Sequence, residues 1–288
     1  MRLLTICLVS LLMGFSLSQA NEEQQTQNKT TMLTDHDKEW KVIDSLESKQ
    51  LPKSALEQVE VLYKKVRQEG DQAQIIKCII YRNKFLIQVE DKDPSVAIVR
   101  LEKEVAGEAN EVPKAVLNSM LAQLYFIYAQ NNQYKIRNRT ITVEEPTDIA
   151  TWSIGSLIKK SNELYLQSIE NDFQSTEILK DYKALLSTTN DKLNFESDLN
   201  SFLLQRVVEH FSNSRSLLTE PVNKFVMNDP KLLSSSEVFL ELDIDSSDSL
   251  SYKYQALLTH QKLLKYLKSK NRTDELAYAE LSRINSRA

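Results

Sequence analysis

The sequence predicts an all-α protein built from antiparallel helix pairs, TPR-like or α-solenoid-like in style. Three observations point there. Glycine and proline are scarce, four and six in 288 residues, whereas an all-β sandwich needs turn signals roughly every ten residues. Apolar residues recur at helical spacing from Trp40 to Ile284. The helical segments group into consecutive pairs of roughly 35–40 residues, the size of a helix–turn–helix repeat. No clean TPR consensus is present, so the expectation concerns architecture rather than a repeat family.

Residues 1–20 read as a cleaved secretory signal. Met1-Arg2 gives a positive start, Leu3–Leu17 is an apolar run, and Ser18-Gln19-Ala20 offers small residues where a signal peptidase cuts. The run is too short for a comfortable membrane span, and no stop-transfer charges follow it. The expectation is therefore an exported chain, periplasmic or envelope-associated, with no stable span after cleavage. Residues 21–33 are polar and aperiodic, as in a flexible leader. Residues 34–288 form the helical domain, with a candidate sub-boundary near 131–147.

The helical domain opens at Thr34-Asp35, a good N-cap pair, followed by Trp40, Ile43 and Leu46 at helical spacing. Leu51-Pro52 ends this helix and starts the next, since proline suits a first helical turn. Leu56, Val59, Leu62, Tyr63 and Val66 make its apolar stripe, and Gly70-Asp71 ends it. A third helix over about 72–89 carries Ile75, Ile76, Ile79, Ile80, Leu86 and Ile87, a face wide enough to be packed on two sides. Asp93-Pro94-Ser95 opens a shorter helix with Val96, Ile98, Leu101 and Val105. Val112-Pro113 opens another, carrying Val116, Leu117, Met120, Leu121, Leu124, Tyr125 and Tyr128.

Asn131–Pro146 breaks the pattern. Its Lys135–Thr140 stretch is basic and Ile141-Thr142-Val143 is briefly strand-like, which predicts a long ordered excursion between helices. Asp148–Trp152 caps the next helix, with Ile154, Leu157, Ile158, Leu164, Tyr165 and Ile169 buried. A short helix around 178–186 and a surface turn over 187–196 follow. Leu199, Phe202, Leu203, Val207 and Phe211 mark a further helix. Residues 212–248 are the weakest for regular structure. A strong helix begins after Asp248 with Tyr252, Ala256, Leu257, Leu263, Leu264 and Leu267, and a last amphipathic one near Thr273 carries Leu276, Ala277, Leu281 and Ile284.

Charge and reactive groups bound the chemistry. The formal net charge is −4, and removing Arg2 with the signal makes it −5. No basic stripe for nucleic acid and no polybasic membrane patch is visible. Cys7 leaves with the signal, so Cys78 has no intrachain partner and reads as a small buried hydrophobe. The three histidines, His36, His210 and His260, share no helical turn, so a local paired-ligand metal motif is excluded. Asp243, Asp245 and Asp248 imitate half of a calcium loop. Ser247 stands at the third ligand position and Asp248 where glycine belongs, so capping by Asp248-Ser249 is the preferred account. No phosphate-binding glycine loop and no G-x-S-x-G elbow occurs. The sequons at Asn28, Asn138 and Asn271 are expected by chance in a chain rich in Asn and Thr. No cofactor is expected.

The candidate partner-contact residues are Lys135, Arg137 and Arg139. One reading is contact with an acidic partner or a phosphate. The preferred reading is a solvated loop whose arginines brace neighbouring carboxylates, since exposed ion pairs are common and weak.

A series of local patterns runs in order along the chain. Trp40–Pro52 (WKVIDSLESKQLP) continues into Lys53-Ser54-Ala55-Leu56 and Val59–Lys65, then Gln74–Lys77 and Tyr81-Arg82. Leu121–Tyr125, Tyr134-Lys135, Asn138–Thr140, Asp148-Ile149 and Thr151-Trp152 follow, then Leu204–Arg206, His210-Phe211 and Ser251–Leu257. Over residues 38–287 this series resembles the helical N-terminal region of large bacterial alpha-2-macroglobulin-like proteins. The resemblance implies a non-enzymatic, protease-inhibitor-like context at the cell envelope, with a protein partner or downstream macroglobulin domains as contacts. The chain departs from the full-length pattern, because no β-sandwich domains, bait segment or Cys-x-Glu-Gln thioester occurs in it. Cys78 is followed by Ile79-Ile80-Tyr81. The expectation is a truncated or excised helical region that binds rather than traps. The rival readings are a free-standing periplasmic adaptor and an enzyme acting on envelope polymers, the latter lacking an acid–base constellation.

Overall fold

A computed structural model describes residues 36–90, 95–139, 148–171, 198–213, 224–246 and 248–285. The expected signal, the expected leader, the expected Thr34-Asp35 cap, the strand-like 141–143 stretch and the helix and turn expected over 178–196 lie outside them. The protein is all-α. The described residues form ten α-helices and no strand. They divide into two compact units between Arg100 and Leu101.

The first unit holds α1 (Asp37–Ser48), α2 (Pro52–Glu69), α3 (Gln72–Glu90) and the start of α4 (Ser95–Gly107). Pro52 occupies the first turn of α2, where its missing N–H costs nothing. Ala55, Val59, Leu62 and Val66 then fall on one buried stripe at 3–4-residue steps. Gly70 ends the helix in the left-handed region (φ 74°), and its N–H and that of Asp71 both reach the Val66 carbonyl. Asp71 also starts α3, its Oδ1 accepting the Gln74 N–H at 3.0 Å. Ile75, Ile76, Cys78, Ile79, Ile80 and Phe85 of α3 are all buried, the wide apolar face that the sequence predicts. α2 packs on both α1 and α3. The Trp40 indole donates to Gln74 Oε1 at 2.6 Å, and Lys77 Nζ lies 3.9 Å from the Trp40 ring centroid.

The second unit holds the remainder of α4, α5 (Glu111–Ile136), α6 (Ile154–Gln167), α7 (Leu199–Asn213), α8 (Ser236–Leu240), α9 (Tyr252–Ser269) and α10 (Thr273–Asn285). At 26 residues α5 is about 39 Å long. It is buried on nearly all sides along 115–129, so it is the central rod of this unit. α6 packs along it, tied by Ser161 Oγ donating to the Ala122 carbonyl at 2.7 Å. Arg206 of α7 donates to Ser119 Oγ and Gln123 Oε1, both at 2.9 Å. α9 packs on α7 and on α10.

Three expectations change. The helix runs through 131–136, where an excursion was expected. Ile136 is buried and Asn132 Nδ2 donates to the Tyr128 carbonyl, which carries the polar Asn131-Asn132-Gln133 run as helix. The cap of α6 is Ser153, whose Oγ accepts the Ser156 N–H at 3.0 Å, while Asp148 caps only the preceding 3₁₀ turn over Ile149–Thr151. The cap of α9 is Ser251, and Asp248 instead accepts the Phe225 N–H at 3.3 Å.

The last helix is turned about its axis relative to its apolar stripe. Glu275, Ala279 and Arg283 are buried, while Leu281 is 60 % exposed and Ala277, Tyr278 and Ile284 also face outward. Arg283 explains the choice. Its guanidinium donates to the Leu232 carbonyl (2.6 Å), the Ser234 carbonyl (2.7 Å) and Glu280 Oε2 (2.8 Å). Every polar end of the buried side chain is satisfied, so its burial is tolerated.

Candidate functional site

The basic cluster sits at the C-terminal end of α5, where the rod of the second unit reaches the surface. Lys135 lies in the last helical turn and Arg137 at the C-cap, both exposed. Cations there complement the negative end of the helix dipole, worth about 0.3–1 kcal/mol each. Arg139 is also exposed, but its Nη1 donates to the carbonyls of Ala150 and, at 3.2 Å, Trp152. It fastens the two ends of the 140–147 connection together, bracing carbonyls where the sequence suggested carboxylates.

Tyr134 is the residue that the basic pattern alone does not single out. It is 80 % exposed and sits three positions before Arg137, on neighbouring positions of the helix surface. A tyrosine beside an arginine is the pairing found at energetic centres of protein interfaces. The signal was an aromatic residue standing alone in the polar run Asn131–Lys135. Ile136 is buried beneath the cluster and anchors the terminal turn. The site is thus a rigid helix end carrying one exposed aromatic ring, two exposed cations and a third cation engaged in closing the connection.

The reactive groups singled out in the sequence lie elsewhere and are buried. Burial pushes the Cys78 thiol up to about 12, which removes the thiolate at neutral pH. His210 sits among Phe126, Tyr165, Phe211 and Tyr252, with ring centroids 4.3–5.2 Å away. Its Nε2 lies 2.9 Å from Asn162 Oδ1, which also accepts from Tyr252 OH at 3.2 Å. Burial, with the Arg206 charge added, pulls its pKa down to about 3. His260 is pulled down to about 4 by burial and by Arg283. His36 pairs with Glu69 Oε2 at 3.0 Å. The three histidines therefore enter three separate environments. Among the described residues no three His, Cys, Asp or Glu side chains are placed to hold a metal ion. No described helix is long and apolar enough to cross a membrane.

No family model, no curated protein and no solved structure matches this chain.

Proposed function

We propose that this chain is a non-catalytic helical interaction domain of an exported protein, acting within an alpha-2-macroglobulin-like protease-inhibitor system and binding an acidic protein segment at the end of α5. The exposure of Tyr134 beside Lys135 and Arg137 carries the reading. A large amphipathic ring flanked by cations on a rigid helix loses little conformational freedom on binding and offers both apolar contact and charge. The ordered series of motifs from Trp40 to Leu257 supports the family context. The buried states of Cys78, His210 and His260 support binding over catalysis, since none is poised to exchange a proton or attack near pH 7.

The test passes envelope extract over immobilised residues 21–288 and over the Tyr134→Ala/Arg137→Glu variant. The reading expects a protease or a protein with macroglobulin domains to be retained, with retention at least tenfold weaker on the variant. Equal retention on both would overturn the assigned surface. Retention of an unrelated envelope protein would favour the free-standing adaptor.

A further inference from the structure

The second unit buries one histidine whose ring has no counterpart for its polar atoms. His260 of α9 is 1 % exposed, and among the described residues neither Nδ1 nor Nε2 has a hydrogen-bond partner. A buried imidazole so placed is stable only while neutral. Two side chains hold the 229–242 segment against α9 and α10. Arg283, 2 % exposed, donates to the Leu232 and Ser234 carbonyls and lies 4.3 Å from the Phe239 ring centroid. Gln261, next to His260 in the chain, donates to the Phe239 and Leu242 carbonyls, both at 2.9 Å. Four carbonyls of one segment are thus held by two side chains, one the chain neighbour of His260 and the other on α10.

The charges around the ring are one-sided. From α10 the Arg283 guanidinium acts on it, and that cation's carboxylate, Glu280, is engaged with the guanidinium. The elements packed against α9 also carry Arg206, Glu209 and His210 on α7, Glu237 on α8, and Asp274 and Glu275 on α10, and the charge found to act on the ring is that of Arg283. Among the described residues no carboxylate hydrogen-bonds either nitrogen of His260.

We propose that His260 and Arg283 form an acid-operated latch, in which protonation of the imidazole adds a second buried cation, this one unpaired, to the core that already holds the Arg283 guanidinium and releases the 229–242 segment and α10 from α9. Release exposes the ring to water, where it holds its proton comfortably, and frees Phe239 and Leu240 from the core. The direction follows from linkage. The released state takes up the proton at the ordinary histidine value of 6.5 and the latched state at about 4, so the latch is fully held above pH 6.5 and weakens as pH falls toward 4. Between pH 7 and pH 5 the released population rises about twentyfold relative to the latched one. The device requires no partner and is independent of the surface at the end of α5.

Hydrogen exchange of residues 229–242 and 273–285, corrected for intrinsic rates, tests it at pH 7 and pH 5 in the wild type and in His260→Gln. The expected result is an approximately twentyfold gain in opening for the wild type and less than threefold for the variant. Equal gains in both, or no gain in the wild type, overturn the proposal. Should His260→Gln fail to fold, proton NMR of the wild-type His260 ring decides alone. A ring still neutral at pH 5 supports the latch, and half-titration near 6.5 overturns it.

Discussion

Replacing Arg283 by methionine removes the guanidinium while keeping an unbranched apolar stem in the same channel. Three acceptors lose their donor: the Leu232 carbonyl, the Ser234 carbonyl and Glu280 Oε2. Each buried carbonyl left unpaired costs about 1–3 kcal/mol, so the two together cost about 3 at the low-middle of that range. The Glu280 side chain is 20 % exposed and recovers part of its hydration, so its loss adds about 1. The methionine stem returns about 1 through burial of its methylenes and sulfur. The net expectation is a loss of about 3 kcal/mol, read as a shift in the urea midpoint by far-UV circular dichroism at unchanged m. Because the chain has two compact units, transitions are fitted separately where they separate. Arg283→Lys keeps one cationic donor and is expected to lose about half as much. The Glu280→Gln/Arg283→Met double variant keeps the loss if the carbonyls dominate and recovers most of it if the ion pair does. A loss below about 1 kcal/mol for Arg283→Met would refute the account of why α10 buries its polar side.

Two further outcomes are expected. Gly70→Ala places a Cβ in open space but forces a side chain into a backbone region at φ 74°, so it should cost about 1 kcal/mol from backbone strain alone, measured by urea denaturation. Cys78, fully buried with its thiol pushed up to about 12, should resist a thiol-specific chromogenic reagent at pH 8 in the native protein and react fully in denaturant. Rapid native labelling would contradict that placement.

The helices of the first unit were legible because their signals are local. Pro52, the Val59–Val66 stripe and Gly70 specify where α2 starts, which side it buries and where it stops, and each acts through residues within one turn. α10 shows the limit. Its periodicity located a helix, but Leu276, Ala277, Leu281 and Ile284 did not determine the buried side. That choice came from carbonyls at Leu232 and Ser234, some fifty positions away and invisible to a local pattern. Caps failed for a related reason. Asp148, Ser153, Asp248 and Ser251 are all competent acceptors, and only the path of the surrounding chain chooses among them. At the candidate site the basic cluster was readable from composition. The use of Arg139 to join Ala150 and Trp152 was not, because it depends on the chain returning after residue 147.

Trp40 and Trp152 are the two tryptophans of the chain, and each compact unit contains one of them. Their surroundings differ. Trp40 has Lys77 over its ring and Gln74 at its nitrogen, while Trp152 stacks on Tyr125 at 5.7 Å. Intrinsic fluorescence is thereby divided between two independent reporters. Trp40→Phe leaves emission that follows the second unit, and Trp152→Phe leaves emission that follows the first, so melting of either half can be watched in the intact chain without an attached dye.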